Sequence, residues 1–260
     1  MRSPLWVLPV LVLATGCHSP EAVPKQPKEI VDLSPALSED SPCRQLGHRT
    51  CDFLGVARQT FAPVVPTNPN YAFGMMSYSL LSHGGAHLDA SARLLRDGMR
   101  ADQVSLDRFY GPARVWDLRW HDRNTLLQVN DLGQQPPVLP GEVLLLLTGY
   151  TPPPANEWPV YSALSPQAAS WLVARAPRAV GTDMPSLGSF EHYAQLLELS
   201  RSPDEVWAET LPFFQAGIPV IEGLINLEQL VDKPAVTFAG FPLAVADRSG
   251  APMRAVALVY

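Results

Sequence analysis

Two histidines and an aspartate lie close together in the segment SHGGAHLDASAR, at His83, His87 and Asp89. Two imidazoles and a carboxylate are good ligands for a borderline cation such as Zn²⁺ or Mn²⁺. Gly84 and Gly85 lie between the histidines and disfavour a helix there by roughly 2 kcal/mol, so we expect a loop or a strand end. The spacing is equally compatible with a polar loop whose histidines only form hydrogen bonds.

The elements that must position these side chains alternate between strands and helices. GEVLLLLTGY at 141–150 contains a continuous apolar run, which suits a strand buried on both faces. A helix is predicted after Ser165, which can cap it, with Pro166 at its first position. Further strands are predicted at EIVDLSPAL, PARVWDLRW, IPVIEGL, AVTFAGFPLAVAD and MRAVALVY, and further helices at EHYAQLLELS and DEVWAETLPFFQAG. Interleaved helices and buried strands indicate an α/β domain.

The composition supports a sizeable core and argues against one class of partner. The chain has 260 residues, 47% of them hydrophobic, and a formal net charge of −6. We find no basic run and no alternation of basic and aromatic residues, so nucleic-acid binding is not expected.

The N-terminal segment is typical of an exported protein. Its apolar run at 5–14, LWVLPVLVLA, is too short for a membrane-spanning helix but fits an export signal. LATGC resembles a bacterial lipoprotein box, so we interpret residues 1–16 as a signal peptide and Cys17 as the lipidated residue. Residues 18–28 are then a flexible tether, and 29–260 are the domain. The expected location is the cell envelope, at the outer membrane or its periplasmic face; plain secretion is the alternative.

Export bears on the two remaining cysteines, Cys43 and Cys51. An oxidising compartment favours a disulfide between them. The alternative is a metal clip that uses His48, but no second pair of ligands lies nearby in the sequence.

The segment SHGGAHLDA resembles the signature of the cyclase family of metal-dependent hydrolases, which includes kynurenine formamidases (arylformamidases) and isatin hydrolases. That signature reads His-x-Gly-Thr-His-x-Asp-x-Pro, followed two residues later by another histidine. Other segments that resemble the family follow in family order: EIVDLSPALSEDSP, DGMRADQVSLDRFYGPARVWDL, EVLLLLTGY, LSPQAASWL, AVGTDMPSLG, AGIPVIEGLINLEQL and GFPLAVADRSGAPMRAVAL. The resemblance covers about 29–259 and implies a swivelling β/β/α-type cyclase fold, an α/β fold with a central mixed sheet in a single domain.

The resemblance also implies a set of metal ligands. The family's ligands correspond to His83, His87 and Asp89 in the signature, and to Glu222 in the segment GIPVIEGL. The implied cofactor is a divalent metal, Zn or Mn, which would activate water for the hydrolysis of an amide. The implied partners are a small-molecule substrate and further copies of the chain, in a dimer or a tetramer, with the membrane as a partner through the lipid.

Four positions depart from the family pattern. Ala86 replaces the signature threonine and Ser91 the proline. Arg93 stands at the position of the family's proton-shuttle histidine; a guanidinium stays protonated and cannot act as a base, so we expect Arg93 to orient the substrate. Thr210 stands where the family has a further histidine ligand, and a neutral hydroxyl is a poor replacement for imidazole.

Two nearby residues are candidates to replace the missing ligand. Glu209 precedes Thr210, and His192 lies in a predicted helix, whereas His121 is given no role. The sequence thus predicts an exported metal-dependent hydrolase of a small amide, formamide or lactam, with a partly degenerate site. The alternative is a catalytically inactive pseudoenzyme or ligand-binding lipoprotein of the same fold. A purely structural envelope lipoprotein would not explain the retained histidines and acidic residues.

Overall fold

The computed structural model describes residues 25–56, 58–65, 75–154 and 157–260. Over these ranges the strands are β1 (Glu29–Asp32), β2 (Thr60–Val65), β3 (Met75–Ser79), β4 (His87–Asp89), β5 (Tyr110–Asp117), β6 (Val143–Leu147), β7 (Ala179–Thr182), β8 (Val220–Glu222), β9 (Val236–Pro242) and β10 (Gly250–Val259). The α-helices are α1 (Ser41–Leu46), α2 (His48–Leu54), α3 (Val129–Leu132), α4 (Pro166–Val173), α5 (Phe190–Glu198), α6 (Pro203–Val206) and α7 (Leu211–Gln215). Short 3₁₀ helices span Ser91–Arg93, Ala101–Gln103, Leu106–Phe109 and Leu227–Leu230.

The main sheet closes on itself. Its strand order is β10-β4-β8-β7-β6-β5-β9, and β9 pairs again with β10 to complete a ring of seven strands. Strands β5 to β8 run parallel to one another, and the remaining pairs are antiparallel. Strand β1 pairs with the end of β10 that β4 leaves free. The predicted α/β domain with a central mixed sheet is confirmed.

Strand β6 explains why its sequence is apolar without alternation. Leu144 and Leu146 pack into the layer of helices outside the sheet. Val143, Leu145 and Leu147 pack into the interior of the closed sheet. Successive side chains of a strand point to opposite faces, and here both faces are covered, so the predicted doubly buried strand is confirmed.

The helices follow the capping signals of the sequence, with one difference. Ser165 caps α4 by accepting a hydrogen bond from the Ala168 N–H at 3.1 Å. The segment DEVWAETLPFFQAG, predicted as one helix, forms α6 and α7 with a turn between them. Pro212 lies in the first turn of α7, where the missing N–H is tolerated, and its ring would clash with a continuous helix before it.

Helices α1 and α2 form a short hairpin that a disulfide holds together. Cys43 and Cys51 are joined, with Cα atoms 5.7 Å apart. Both cysteines are buried in the outer core, and their pairing excludes the metal clip with His48. The Tyr150 hydroxyl donates to the Gln45 carbonyl at 2.5 Å and fixes the hairpin to the loop after β6.

Gly223 follows β8 and lets helix α1 and the turn at Gly85 pack directly against the end of this strand. Its φ is +73°, in the left-handed region that favours glycine. A Cβ there would lie 1.7 Å from the Gln45 amide nitrogen and 2.5 Å from the Gly85 carbonyl oxygen. Helix α1, the turn before β4 and the end of β8 therefore meet at a point where only glycine fits.

The N-terminal predictions lie outside the described residues. This applies to the signal peptide at 1–16, to the lipidated Cys17 and to most of the tether at 18–28. In the described part of the chain, none of the helices has the length and apolar character needed to cross a membrane.

Replacing both Cys43 and Cys51 with serine should destabilise the fold by about 2 to 3 kcal/mol, because the short loop regains its freedom in the unfolded chain. Urea unfolding of the oxidised protein, the reduced protein and the double variant measures this effect. We expect the last two to agree. An unchanged unfolding free energy in the double variant would refute the structural role of the bond.

Gly223→Ala should cost clearly more stability than Gly55→Ala. Gly55 also has a positive φ, of +64°, but nothing lies within 4 Å of its added Cβ. The control therefore reports the backbone strain alone, about 1 to 2 kcal/mol, while Gly223→Ala adds an overlap with a backbone oxygen. Urea denaturation of both variants compares the costs, and equal costs would contradict the packing described above.

Candidate metal centre

Strands β4 and β8 place two of the predicted ligands opposite each other. They pair antiparallel, with His87 facing Glu222 across the ladder. Leu88 and Ile221 point into the interior of the closed sheet, so His87, Asp89 and Glu222 project to its other face. All three are buried, and the two distant sequence segments therefore meet in one place.

The His87 ring is oriented by the turn that precedes it. Its Nδ1 lies 2.9 Å from the Gly85 carbonyl oxygen, which only accepts, so Nδ1 carries the proton and donates. Its Nε2 then faces Glu222 Oε2 at 3.4 Å. In the described part of the chain this nitrogen has no hydrogen-bond partner, and a cation bound by the nitrogen and the carboxylate would satisfy both.

His83 forms a second pair of an imidazole with a carboxylate, that of Asp89. Its Nδ1 lies 3.6 Å from Asp89 Oδ1, and its Nε2 lies 3.3 Å from the Ser249 hydroxyl. Burial, with the nearby Arg93 charge, lowers the pKa of His83 to about 2, so the ring is neutral at ordinary pH. A Cβ at Gly250 would lie 2.4 Å from the His83 ring, so this glycine makes room for the imidazole.

Arg93 contacts the other oxygen of Asp89. Its Nη1 donates to Asp89 Oδ2 at 2.5 Å, from the 3₁₀ turn that follows β4. The guanidinium lies 5.5 Å from the centre of the Trp207 ring, within the range of a cation–π contact. Burial raises the pKa of Asp89 above its usual range, and the Arg93 charge opposes that shift. Arg93 therefore points into the site and not to solvent.

The donor atoms fit a divalent cation in chemistry and in pair spacing. His83 Nδ1, His87 Nε2, Asp89 Oδ1 and Glu222 Oε1 are buried without a hydrogen-bond partner. Two ligands at about 2.1 Å from a tetrahedral cation lie about 3.4 Å apart, close to the 3.4 and 3.6 Å of the two pairs. Within the described ranges, however, no group of three or more His, Cys, Asp or Glu side chains is arranged to hold an ion. The fit therefore holds for each pair, and the two pairs do not form a single shell.

A cavity of about 220 Å³ opens beside these side chains. Its polar lining consists of His83, His87, Arg93 and Glu222. Its apolar lining consists of Leu46, Leu54, Val56, Leu81, Pro185 and Phe190. The disulfide-linked hairpin thus supplies part of the wall, and the cavity combines one charged end with apolar sides.

The candidates to replace the missing ligand lie outside this lining. His192 is exposed on α5, so its proposed rescue role is wrong. Thr210 and Glu209 are both buried, and burial raises the pKa of Glu209 to about 7. Glu209 Oε2 and the Tyr193 hydroxyl both approach Gly188, where an added Cβ would lie 2.8 and 2.0 Å from them. Glu209 therefore belongs to a neighbouring polar cluster.

Several contributors to the site have no signal in the local sequence. Trp207 reaches Arg93 from the turn before α7, and Ser249 and Gly250 reach His83 from the start of β10. Ser249 and Gly250 lie in the family-like segment GFPLAVADRSGAPMRAVAL, but nothing in that segment points to His83, and Trp207 lies in no recognisable motif. Their roles depend on strand pairing and helix packing over more than a hundred residues of sequence separation, as the separation of 166 between His83 and Ser249 illustrates.

Comparison with known proteins identifies the family of this chain. The Cyclase family model matches residues 31–189. The kynurenine formamidase of Salinibacter ruber is 30% identical over 188 residues, which cover 69% of this chain and 77% of the relative. The kynurenine formamidase of Bordetella pertussis is 26% identical over 235 residues, 88% of this chain and 97% of the relative.

Solved structures share the fold at lower sequence identity. Isatin hydrolase A from Labrenzia aggregata superposes with a TM-score of 0.71 at 22% identity, over 89% of this chain and 93% of that one. A structure described as a potential metal-dependent hydrolase with cyclase activity gives a TM-score of 0.64 at 18% identity, over 89% and 98% of the two chains. These likenesses support the fold. The predicted relationship to amide-hydrolysing enzymes is confirmed by the sequence relatives, and the chain belongs to the Cyclase family.

Proposed function

We propose that the protein is an exported, divalent-metal-dependent hydrolase of a small amide, formamide or lactam with an aromatic group. The observation that carries this proposal is the pair of imidazole–carboxylate contacts, His83 to Asp89 and His87 to Glu222, at a buried position beside a cavity. Relatives named kynurenine formamidase and structural neighbours named isatin hydrolase support the substrate class.

The shape of the cavity supports a small substrate. Its volume of about 220 Å³ is below the roughly 300 to 1,000 Å³ of pockets for drug-sized ligands. Leu46, Leu54 and Phe190 are among the apolar residues that line the cavity. An aryl ring would lie against these apolar side chains, while the amide would point to the imidazoles and Glu222.

The chemistry follows from the donor set. A divalent cation bound at either pair, His83 with Asp89 or His87 with Glu222, would lower the pKa of a bound water and polarise the substrate carbonyl. In the net reaction the oxygen of water joins the carbonyl carbon, the C–N bond breaks and the nitrogen gains a proton. Arg93 stays charged and cannot take that proton, but its guanidinium has five N–H donors, and those not bonded to Asp89 can orient a substrate oxygen.

One observation favours a second function, that of an inactive ligand-binding protein. The Arg93–Asp89 ion pair already gives the buried carboxylate a positive partner. With Arg93 in place of a metal ion as the partner of Asp89, the site would bind a small polar aromatic ligand without hydrolysing it. Turnover measurements separate this alternative from the hydrolase.

The purified protein should hydrolyse N-formylkynurenine or isatin when Mn²⁺ or Zn²⁺ is added, and lose that activity after chelation. Glu222→Gln removes a ligand charge and should lower kcat/KM by more than about 100-fold. The matched control is Glu228→Gln, since Glu228 is exposed on the 3₁₀ helix at Leu227–Leu230. Absorbance assays of product formation measure all three proteins.

The outcomes discriminate between the candidates. Metal-dependent turnover that Glu222→Gln removes and Glu228→Gln retains supports the hydrolase. Metal binding or ligand binding without turnover of any formamide or lactam supports the ligand-binding protein. An apo protein that ignores added Mn²⁺ and Zn²⁺ would end the metal-dependent proposal.

Export, lipidation and self-association belong to the same proposal. The apolar run at 5–14 and the segment LATGC support a lipid anchor on Cys17, and the Cys43–Cys51 disulfide suits an oxidising compartment outside the cytoplasm. The proposed location is the cell envelope, and the proposed assembly is a dimer or tetramer. A location in the envelope would give the enzyme access to substrates from outside the cytoplasm.

Cys17→Ser should release the protein from the membrane fraction, because the thioether-linked lipid can no longer form. Fractionation of cells that produce the wild type and the variant, followed by immunoblotting, measures the distribution. Cys43→Ser is the control and should stay with the membrane. A wild-type protein found only in the soluble fraction would contradict lipidation.

A further inference from the structure

Among the described residues, Asp89 is the one proposed ligand that pairs with an arginine or a lysine, since Arg93 donates to it. We infer that Arg93 competes with the divalent cation for Asp89 and thereby sets the metal affinity of the site. The inference rests on the proposed function, because it concerns the same ligands. It adds a property of this chain, since the arginine stands where the family signature has a histidine.

The contact between Arg93 and Asp89 is short and shielded from water. Nη1 lies 2.5 Å from Oδ2, with the Asp89 side chain 1% exposed and that of Arg93 22% exposed. A hydrogen bond between two charged groups is about twice as strong as one between neutral groups. In a buried place, the carboxylate also depends on such a partner to remain charged.

Two contacts hold the Arg93 guanidinium next to Asp89, where it competes with a metal ion for the carboxylate. The 3₁₀ turn at Ser91–Arg93 follows β4 directly and brings the side chain back over Asp89, four residues earlier. Trp207 lies 5.5 Å from the guanidinium carbon. Since this contact and the ion pair together fix the side chain, Arg93 is a permanent feature of the site and not a mobile surface residue.

The two oxygens of Asp89 serve different neighbours. Oδ2 accepts from Arg93, while Oδ1 faces His83 Nδ1 at 3.6 Å without a hydrogen bond. A divalent ion at Oδ1 would share one carboxylate with a guanidinium of like charge, and this repulsion disfavours the ion. The ion pair with Arg93 also holds Asp89 beside His83, so that His83–Asp89 and His87–Glu222 remain two separate pairs of metal-binding groups.

Titration calorimetry with MnCl₂ and ZnCl₂, after removal of metal by a chelator, tests the inference without any activity measurement. Arg93→Gln removes the competing charge and should bind metal about 10- to 100-fold more tightly than the wild type. Arg93→Lys keeps the charge and should stay near the wild type. Arg114→Gln is the control for net charge, because Arg114 pairs with Glu142 outside the cavity, at 2.7 and 2.8 Å.

A double-mutant cycle ties the effect to Asp89. In an Asp89→Asn background, Arg93→Gln should give almost no gain in affinity, because the contested carboxylate is gone. Circular dichroism checks that each variant is folded. Arg93→Leu, which has neither a charge nor a metal-binding atom, replaces the glutamine variant in the cycle if the latter does not fold.

A gain of less than about 10-fold in Arg93→Gln, or an equal gain in Arg114→Gln, overturns the inference. If wild type and Arg93→Gln bind metal equally well and hydrolyse substrate, the proposed function stands and the competition is refuted. If Arg93→Gln binds more tightly but neither protein hydrolyses any substrate, the competition stands and the hydrolase is refuted. If neither protein binds metal, both fail.

Discussion

The site depends on an electrostatic mismatch inside a buried region of the protein. In the described part of the chain, two imidazole nitrogens without hydrogen-bond partners face two carboxylates, and the facing atoms of His87 and Glu222 lie 3.4 Å apart. Burying polar atoms without such partners costs free energy, more so when one of them carries a charge. The fold retains this arrangement at the meeting point of β4 and β8, where apolar packing would be more stable. A site that costs stability in this way is typical of a functional centre.

The closed sheet is what makes the mismatch possible. The three-residue strands β4 and β8 would not hold a register alone, but each has a neighbour on both edges. Leu88 and Ile221 fill the interior of the sheet, which forces His87 and Glu222 to the opposite face. On that side the α1–α2 hairpin closes the cavity, and Gly223 allows it to approach. Packing on one face of the sheet thus determines the chemistry on the other.

The sequence predicts what is local and repetitive, and the fold supplies the rest. The doubly buried strand β6, the capped helix α4 and the histidine segment at a strand end follow from periodicity and residue type. The partners of Arg93 do not, because the contacts with Asp89 and Trp207 depend on how the turn after β4 folds back. The same holds for α6 and α7, where the helical pattern hides the break at Pro212. Contacts between distant segments are absent from any local pattern.

Arg93 stands where the resemblance to the family would place a histidine, and the two side chains differ in charge as well as in chemistry. An imidazole can be neutral and can bind a metal through a lone pair, whereas a guanidinium has no lone pair to offer and keeps its charge. In this chain it has become the partner of a buried ligand carboxylate. Such a partner opposes the rise that burial causes in the pKa of Asp89, so the burial of this carboxylate does not depend on a metal ion alone. Substitutions that change the metal affinity of the site then need not change the stability of the fold. This separation is a physical route by which the metal sites of related proteins diverge.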